Sequence, residues 1–390
     1  MSLFWIPASS VGDEMPDTVA QCVLEAYNRL PAHGKPIIRA NGVREWTTLA
    51  GVVLEDTKEK KFTCVDLSTG VKCTPISKIE PNQFGSVLHD CHAEVLALRC
   101  FNRLLLEHCR SYNDEPSKAW LLEKRNEKKF CLKPNLKLHL YVSECPCGDA
   151  SMELLANSLE NSEPWNMASL ADQPMRGRTD FGQLGIVRTK PGRADAPFSW
   201  SKSCSDKISS KQYLSILNAQ TSLLIEPIYL SSLVLPESAI VNTSMKRAFG
   251  PSGRCMGLLN QVSGNYTFQP FQVLATKKKF SFSKLVDPGI RIATSTNVLI
   301  WIGNQLNTTQ VIHNGIQAGK KAKDTDRSQT IISRKAMMRI LQDVQHPSLE
   351  KKNYEEWKRT NADRQRAKEV VRGVLKYWTC NGGDNFDWSA

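Results

Sequence analysis

Several things are scarce in this chain of 390 residues. No run of about eighteen apolar residues occurs, so a membrane-spanning helix is not expected. Twelve cysteines are too few for a disulfide scaffold. The opening MSLFWIPASSVGDEMPD has neither a basic start nor a long apolar stretch, so no secretory signal is expected. Internal repeats, clear linkers and low-complexity segments are also missing, which argues against solenoids and disordered chains. What is present is 41% hydrophobic and 23% charged residues, enough for a proper core. The expectation is an intracellular protein, nuclear or cytoplasmic, with reduced thiols, some of them free to bind metal.

Lys and Arg number 51 against 39 Asp and Glu, a net charge of +12. Residues 317–376 hold sixteen of the cations and eight of the acids, so most of the excess lies there. Lys277, Lys278 and Lys279 add a short run. Such an excess points to a polyanion, whether nucleic acid, an anionic surface or a polyphosphate. Tyr354, Lys358, Arg364 and Lys368 read as part of one long helix over 353–377, striped by Trp357, Val371, Leu375 and Trp378. Aromatics among cations imply partial burial, and buried cations need a counter-anion.

Apolar spacing predicts a helix over 17–30, with Asp17 as N-cap, and a strand pair at 46–55 and 61–67. A buried helix follows at 91–109, then a strand at 137–143 ending in a turn and a further helix. Residues 160–200 read as long surface loops. Strands near 222–235, 271–275 and 297–302 precede helices over 328–344 and 353–377. This order predicts an α/β layered domain with a helical C-terminal elaboration.

The sharpest feature is His92-Ala93-Glu94 at the start of the buried helix, with Pro146-Cys147-Gly148 between strand and helix. Imidazole and thiolate are zinc ligands, and three protein ligands leave a position for water. Zinc lowers the pKa of that water toward neutrality, and a Glu two residues from the ligand can take its proton and hand it on. Zinc-dependent base deaminases carry H-x-E with P-C-x-x-C. Here the residue three after Cys147 is Ala150, so a third ligand must come from elsewhere. Cys145 is near but falls on the opposite face if the strand continues. Cys204, in a polar setting that reads as a helix start, is preferred.

These residues resemble the adenosine deaminase domain shared by RNA-editing enzymes and tRNA-specific adenosine deaminases. The resemblance rests on LHDCHAE (88–94), SECPCGDA (143–150), SCSDKI (203–208), EPIY (226–229) and VRTKPGR (187–193), and covers the chain from about residue 20. It implies a cytidine deaminase-like layered α/β sandwich, zinc on His92, Cys147 and Cys204, and Glu94 as the proton shuttle. The implied reaction is hydrolytic attack on C6 of adenine, giving inosine. The target base must leave its stack, which costs least in a loop. About ninety residues precede His92 and read as deaminase core, so one domain over 1–390 is expected, without a separate RNA-binding domain. With the RTKPGR loop, this resembles the tRNA enzymes that act just 3′ of the anticodon, at position 37 of alanine tRNA. An editor of structured or double-stranded RNA is the alternative; the charge argues against a free-nucleoside deaminase, and Glu94 against an inactive binding module. Lys72, Arg188, Lys190 and Arg193 are candidates for phosphate or sugar contacts. The family also buries inositol hexakisphosphate. By motif position its ligands would be Arg99, Lys207, Lys335, Tyr354, Lys358 and Lys368, with Trp378 nearby. Ser210, Lys211 and Arg364 depart from the editing enzymes, implying a rearranged cage in which Lys211 and Arg364 take part. No obligate protein partner is evident.

Overall fold

A computed structural model describes residues 14–82, 84–127, 129–158, 175–177, 182–190, 192, 196–284, 289–304, 306–321, 325–345, 353–378 and 385–387. Its frame is an eight-stranded mixed sheet. In chain order the strands are β1 (Leu49–Asp56), β2 (Lys61–Thr69), β3 (Leu136–Val142), β4 (Ser232–Pro236), β5 (Gln272–Thr276), β6 (Val298–Ile302), β7 (Thr308–His313) and β8 (Ile316–Gln317). Across the sheet they run β5-β4-β3-β1-β2-β6-β7-β8. β5, β4 and β3 are parallel, and every pairing from β3 onward is antiparallel. Both faces are covered, which is why β1 reads as a nearly unbroken apolar run. Leu49 and Val53 point to one face, under helix α1 (Met15–Arg29) with its Val19, Val23 and Tyr27. Ala50, Val52 and Leu54 point to the other, under helix α2 (Ala93–Asp114) with Leu96, Phe101 and Leu104.

The layered α/β architecture expected from the sequence is present, with differences of detail. Asp17 does not cap α1. That position is Glu14, and Asp17 accepts from the Thr276 hydroxyl at 2.6 Å and from Lys277 N at 2.9 Å, tying α1 to the end of β5. The strand near 222–235 starts only at Ser232, after a helical turn at Thr221–Leu224. The long C-terminal helix is two, Tyr354–Arg359 and Ala362–Val374, following a helix over Arg334–Gln345. The break is at Asn361, whose side chain accepts from Arg364 N at 3.1 Å and restarts the helix. Part of 160–200 is not surface: Val187, Arg188, Thr189 and Lys190 are buried. Among the described residues no helix is long and apolar enough to cross a membrane.

Candidate metal centre

Three chain turns bring the candidate ligands together. The short strand Asp90–His92 pairs with Val71–Cys73, and its last residue is the extended N-cap of α2. This pairing is close: a Cβ on Gly70 (φ +139°) would stand 2.0 Å from the Cys91 carbonyl, so only glycine is accommodated. After β3, Gly148 takes φ +100°, and a Cβ there would stand 2.2 Å from Ser203 Oγ. That close approach sets Cys147, just before helix α3 (Met152–Ser158), against the start of helix α4 (Cys204–Leu214). Ser203 caps α4 by accepting from Asp206 N at 3.1 Å, so Cys204 is the first helical residue. Cys204 N–H donates to Cys147 Sγ at 3.4 Å.

One ligand atom each of His92, Cys147 and Cys204 lies within 4.8 Å of the others. Such a set of one imidazole and two thiols suits zinc. Cys145 stays out: β3 has ended at Val142, and its thiol donates to Ala150 O at 3.3 Å. Burial raises that thiol's pKa, whereas Cys147 is held well below the usual thiol range by the Cys204 hydrogen bond and by Lys190 and His92, against the effect of burial. Glu94, in the first turn of α2, is buried, and its Oε2 has no hydrogen-bond partner among the described residues.

Asp90 organises the other side, a role its sequence did not reveal. The signal available was an acid two residues before a candidate His ligand. Its Oδ1 is 2.8 Å from His92 Nδ1, which leaves Nε2 for the ligand group. Its Oδ2 accepts from Lys190 at 2.8 Å, from the Ser201 hydroxyl at 2.6 Å and from Lys207. Burial would raise the Asp90 pKa, but Lys190 and Lys207 hold it well below the ordinary value. Burial and Lys190 push His92 down, yet Asp90 and Cys147 outweigh them and hold it at about 9. Lys190 also donates to Cys204 Sγ at 3.0 Å.

These contacts correct two expectations. Lys190 is not a loop cation on the surface; it is 3% exposed and neutralises Asp90 and the sulfur group. Arg188 is 1% exposed and donates to the carbonyls of Gly177 and Gln183. Both line a cavity of about 340 Å³ with Cys147, Gly148, Met152 and Lys284. Lys72 is exposed, opposite Cys91. Arg193 lies outside the described residues.

Behind Asp90 the polarity changes. Lys207 lines a cavity of about 210 Å³ with Glu94, Ser210, Lys211, Arg364 and Trp378, and another of about 190 Å³ with His89, Arg99 and Arg334. Burial, aided by Arg364, Lys207 and Arg99, pushes Lys211 down to about 7. Burial, with Arg364 and Lys358, does the same to Lys368. Arg364 donates to the carbonyls of Leu214 and Leu217, while its Nε is buried without a partner among the described residues. The remaining candidates are engaged otherwise. Lys335 pairs with Asp326 at 3.7 Å and Lys358 with Glu355 at 2.5 Å, and Tyr354 stacks on Trp357 and Phe386.

With this geometry in hand, known proteins provide a comparison. Residues 66–381 match the adenosine-deaminase (editase) domain. The chain is 58% identical over 372 residues to tRNA-specific adenosine deaminase 1 of Schizosaccharomyces pombe, covering 95% of this chain and 96% of that one. It is 39% identical to tRNA-specific adenosine deaminase 1 of Saccharomyces cerevisiae, over 57% of this chain and 59% of that one. Double-stranded RNA-specific editase B2 of Mus musculus is 30% identical over 59% of this chain and 32% of its own length. A match of this extent, on residues that fold into a partly buried His-Cys-Cys group beside the buried Glu94, makes the chain a member of the adenosine-deaminase (editase) domain family.

Proposed function

We propose that this protein hydrolyses adenosine to inosine in tRNA, at the adenosine just 3′ of the anticodon of alanine tRNA. The observation that carries the chemistry is the convergence of His92, Cys147 and Cys204 beside the buried Glu94, whose Oε2 has no partner among the described residues. The similarity to the tRNA-specific enzymes over nearly the whole chain supports tRNA over duplex RNA. The chain is read as one domain, acting in nucleus or cytoplasm.

In this reading His92, Cys147 and Cys204 hold zinc. Zinc, when bound, supplies Lewis acidity that brings the pKa of a water toward neutrality. Glu94 takes a proton from the attacking water and delivers it to purine N1. It then assists protonation of the leaving amino group, so that water and adenosine give inosine and ammonia. Asp90 holds the His92 ring by Nδ1, and Lys190 balances the charge gathered by two thiolates. Lys72, exposed on the strand opposite Cys91, is placed to meet the RNA backbone, and Arg193 keeps that candidacy from the sequence.

The cation cavity supports a second part of the reading: buried inositol hexakisphosphate. Lys207, Lys211, Arg364 and Lys368 lie together with pKa values depressed for the lysines Lys211 and Lys368, and the buried Arg364 Nε–H lacks an acceptor among the described residues. A polyphosphate supplies both the missing charge and the missing acceptor. Arg99, Lys358 and Tyr354 join this ligand set on release or redirection of their present contacts; Lys335 would have to leave Asp326.

The test is incubation of purified protein with total tRNA, followed by sequence mapping of inosine. Inosine beside the anticodon is expected from the parent, and none from Glu94→Ala that still retains zinc. A parent that leaves tRNA unmodified overturns the proposal. Equal activity of Glu94→Ala removes Glu94 from the role.

A further inference from the structure

The surface beside the metal centre carries a feature that the chemistry above does not use. Residues 38–44 fold back as a hairpin: Arg39 N donates to Val43 O and Gly42 N to Arg39 O, each at 2.9 Å. The strand Arg44–Trp46 then pairs in parallel with Ile292–Thr294. The ribbon exposes three isoleucines, Ile37 at 57%, Ile38 at 70% and Ile290 at 39%. Around them stand Arg39, Arg44, Arg291 and Lys72. Over residues 35–46 and 289–294 the sequence has a single acid, Glu45, which is buried and already held by Arg39 at 2.9 Å.

Both ends of this ribbon reach the candidate centre. At one end Lys72 pairs across from Cys91, the neighbour of His92, and Arg39 is close enough to act on Lys72 electrostatically. At the other, Thr47 N donates to Phe282 O at 3.0 Å and the Arg44 guanidinium reaches Ser281 O. Two residues further on, Lys284 lines the cavity that contains Cys147 and Lys190. Among the described residues, Arg39, Arg44, Arg291 and Lys72 thus lie along the ribbon with Glu45 as its one acid, and Lys284 at the cavity stands beside the half-buried Glu144.

From this, and resting on the tRNA reading above, the geometry points to the 37–46 and 289–294 ribbon as a docking track for the tRNA backbone outside the deaminated loop. Phosphates meet Arg39, Arg44 and Arg291, and the isoleucines pack on sugar and base faces. A protein partner is the less suited occupant. Its footprint would need a larger apolar centre than three isoleucines separated by cations, whereas a polyanion with apolar faces matches the pattern.

The test compares the parent with Arg291→Glu and with Ile38→Ser, singly and together. Both side chains are exposed, so thermal midpoints near the parent's are expected; Arg291→Gln serves if charge reversal disturbs folding. Purified tRNA is titrated across a salt series, and turnover is measured at saturating tRNA. The double variant is expected to bind about 10-fold more weakly, with a salt slope smaller by about 1. Its kcat should stay within about twofold of the parent, since phosphate contacts far from the base act through binding. Unchanged affinity and slope overturn the track. A parent that makes no inosine in tRNA overturns the functional reading and the track with it, whereas an active parent with unaltered variants overturns the track alone.

Discussion

The metal centre and the cation cavity share the Lys207 side chain, yet their electrostatics are opposite. Around His92, Cys147 and Cys204 the buried charges are matched by the chain: Asp90 faces Lys190 and Lys207, and Lys190 faces a sulfur. Around Arg364 cations face cations, and its buried Nε–H lacks an acceptor among the described residues. The first region balances its own charges. In the second, burial and neighbouring cations push Lys211 and Lys368 down to about 7, so an anion from outside would be required for all its cations to stay charged at neutral pH. One lysine thus joins a self-sufficient site to a dependent one.

Breaking the matched region should have the largest effect. Asp90→Asn strands the Lys190 charge in the interior and removes the grip on His92. A loss of about 3–5 kcal/mol is expected, the usual cost of removing one partner of a buried pair. Thermal or urea denaturation together with zinc content measures it; a loss below about 1 kcal/mol would mean the Asp90 contacts are not what holds this region.

The unmatched region gives predictions of opposite sign. Lys211→Met should stabilise protein stripped of polyanion, because it removes a buried cation held against Arg364. The same change should weaken inositol hexakisphosphate binding about 10-fold, the worth of one charge-assisted contact. Calorimetric titration and melting on one preparation read both. Stability should also depend on pH. Lys211 and Lys368 titrate near 7 in the folded protein against an ordinary value of 10.5. Between those values the unfolded chain binds more protons, so stability of the stripped protein rises from about pH 7 toward pH 10 and falls as pH drops through 7. Bound polyphosphate should flatten this dependence. A flat profile without polyanion would show that the cations are already compensated.

The smallest effect sharpens the contrast within the sheet. Asp66 on β2 is fully buried, and neither carboxylate oxygen has a partner among the described residues. Burial raises its pKa well above 3.8. Its penalty therefore grows as pH rises above about 4, where the unfolded chain ionises and the folded one does not. Asp66→Asn should be about 1 kcal/mol more stable than the parent at neutral pH, with the difference shrinking toward pH 4.

Much of this was legible in residue order because it is local. Periodicity located α1, α2 and the central strands. The apolar alternation of 137–142 and the glycine after Cys147 marked a strand ending in a turn. The C-terminal segment reads as one continuous helix because Asn361 satisfies helical spacing, while its side chain in fact favours a cap. Lys190 looked like a loop cation because its counter-charge, Asp90, lies one hundred positions away. Asp90 itself was visible as a residue but not as a hub, since nothing local shows that four side chains converge on it.

The sequence by itself determined the donor types, the helix start that sets Glu94 beside His92, and the surplus of positive charge toward the C-terminus. These follow from composition and from spacing within a few residues. Only the tertiary structure decided that Cys204 rather than Cys145 joins the group, that Lys190 is spent inside, and that Arg364 is gathered with Lys207 and Lys211 around one cavity. Those outcomes depend on which distant segments pack together, and a hydrogen bond or ion pair is set by distance in space rather than by separation along the chain.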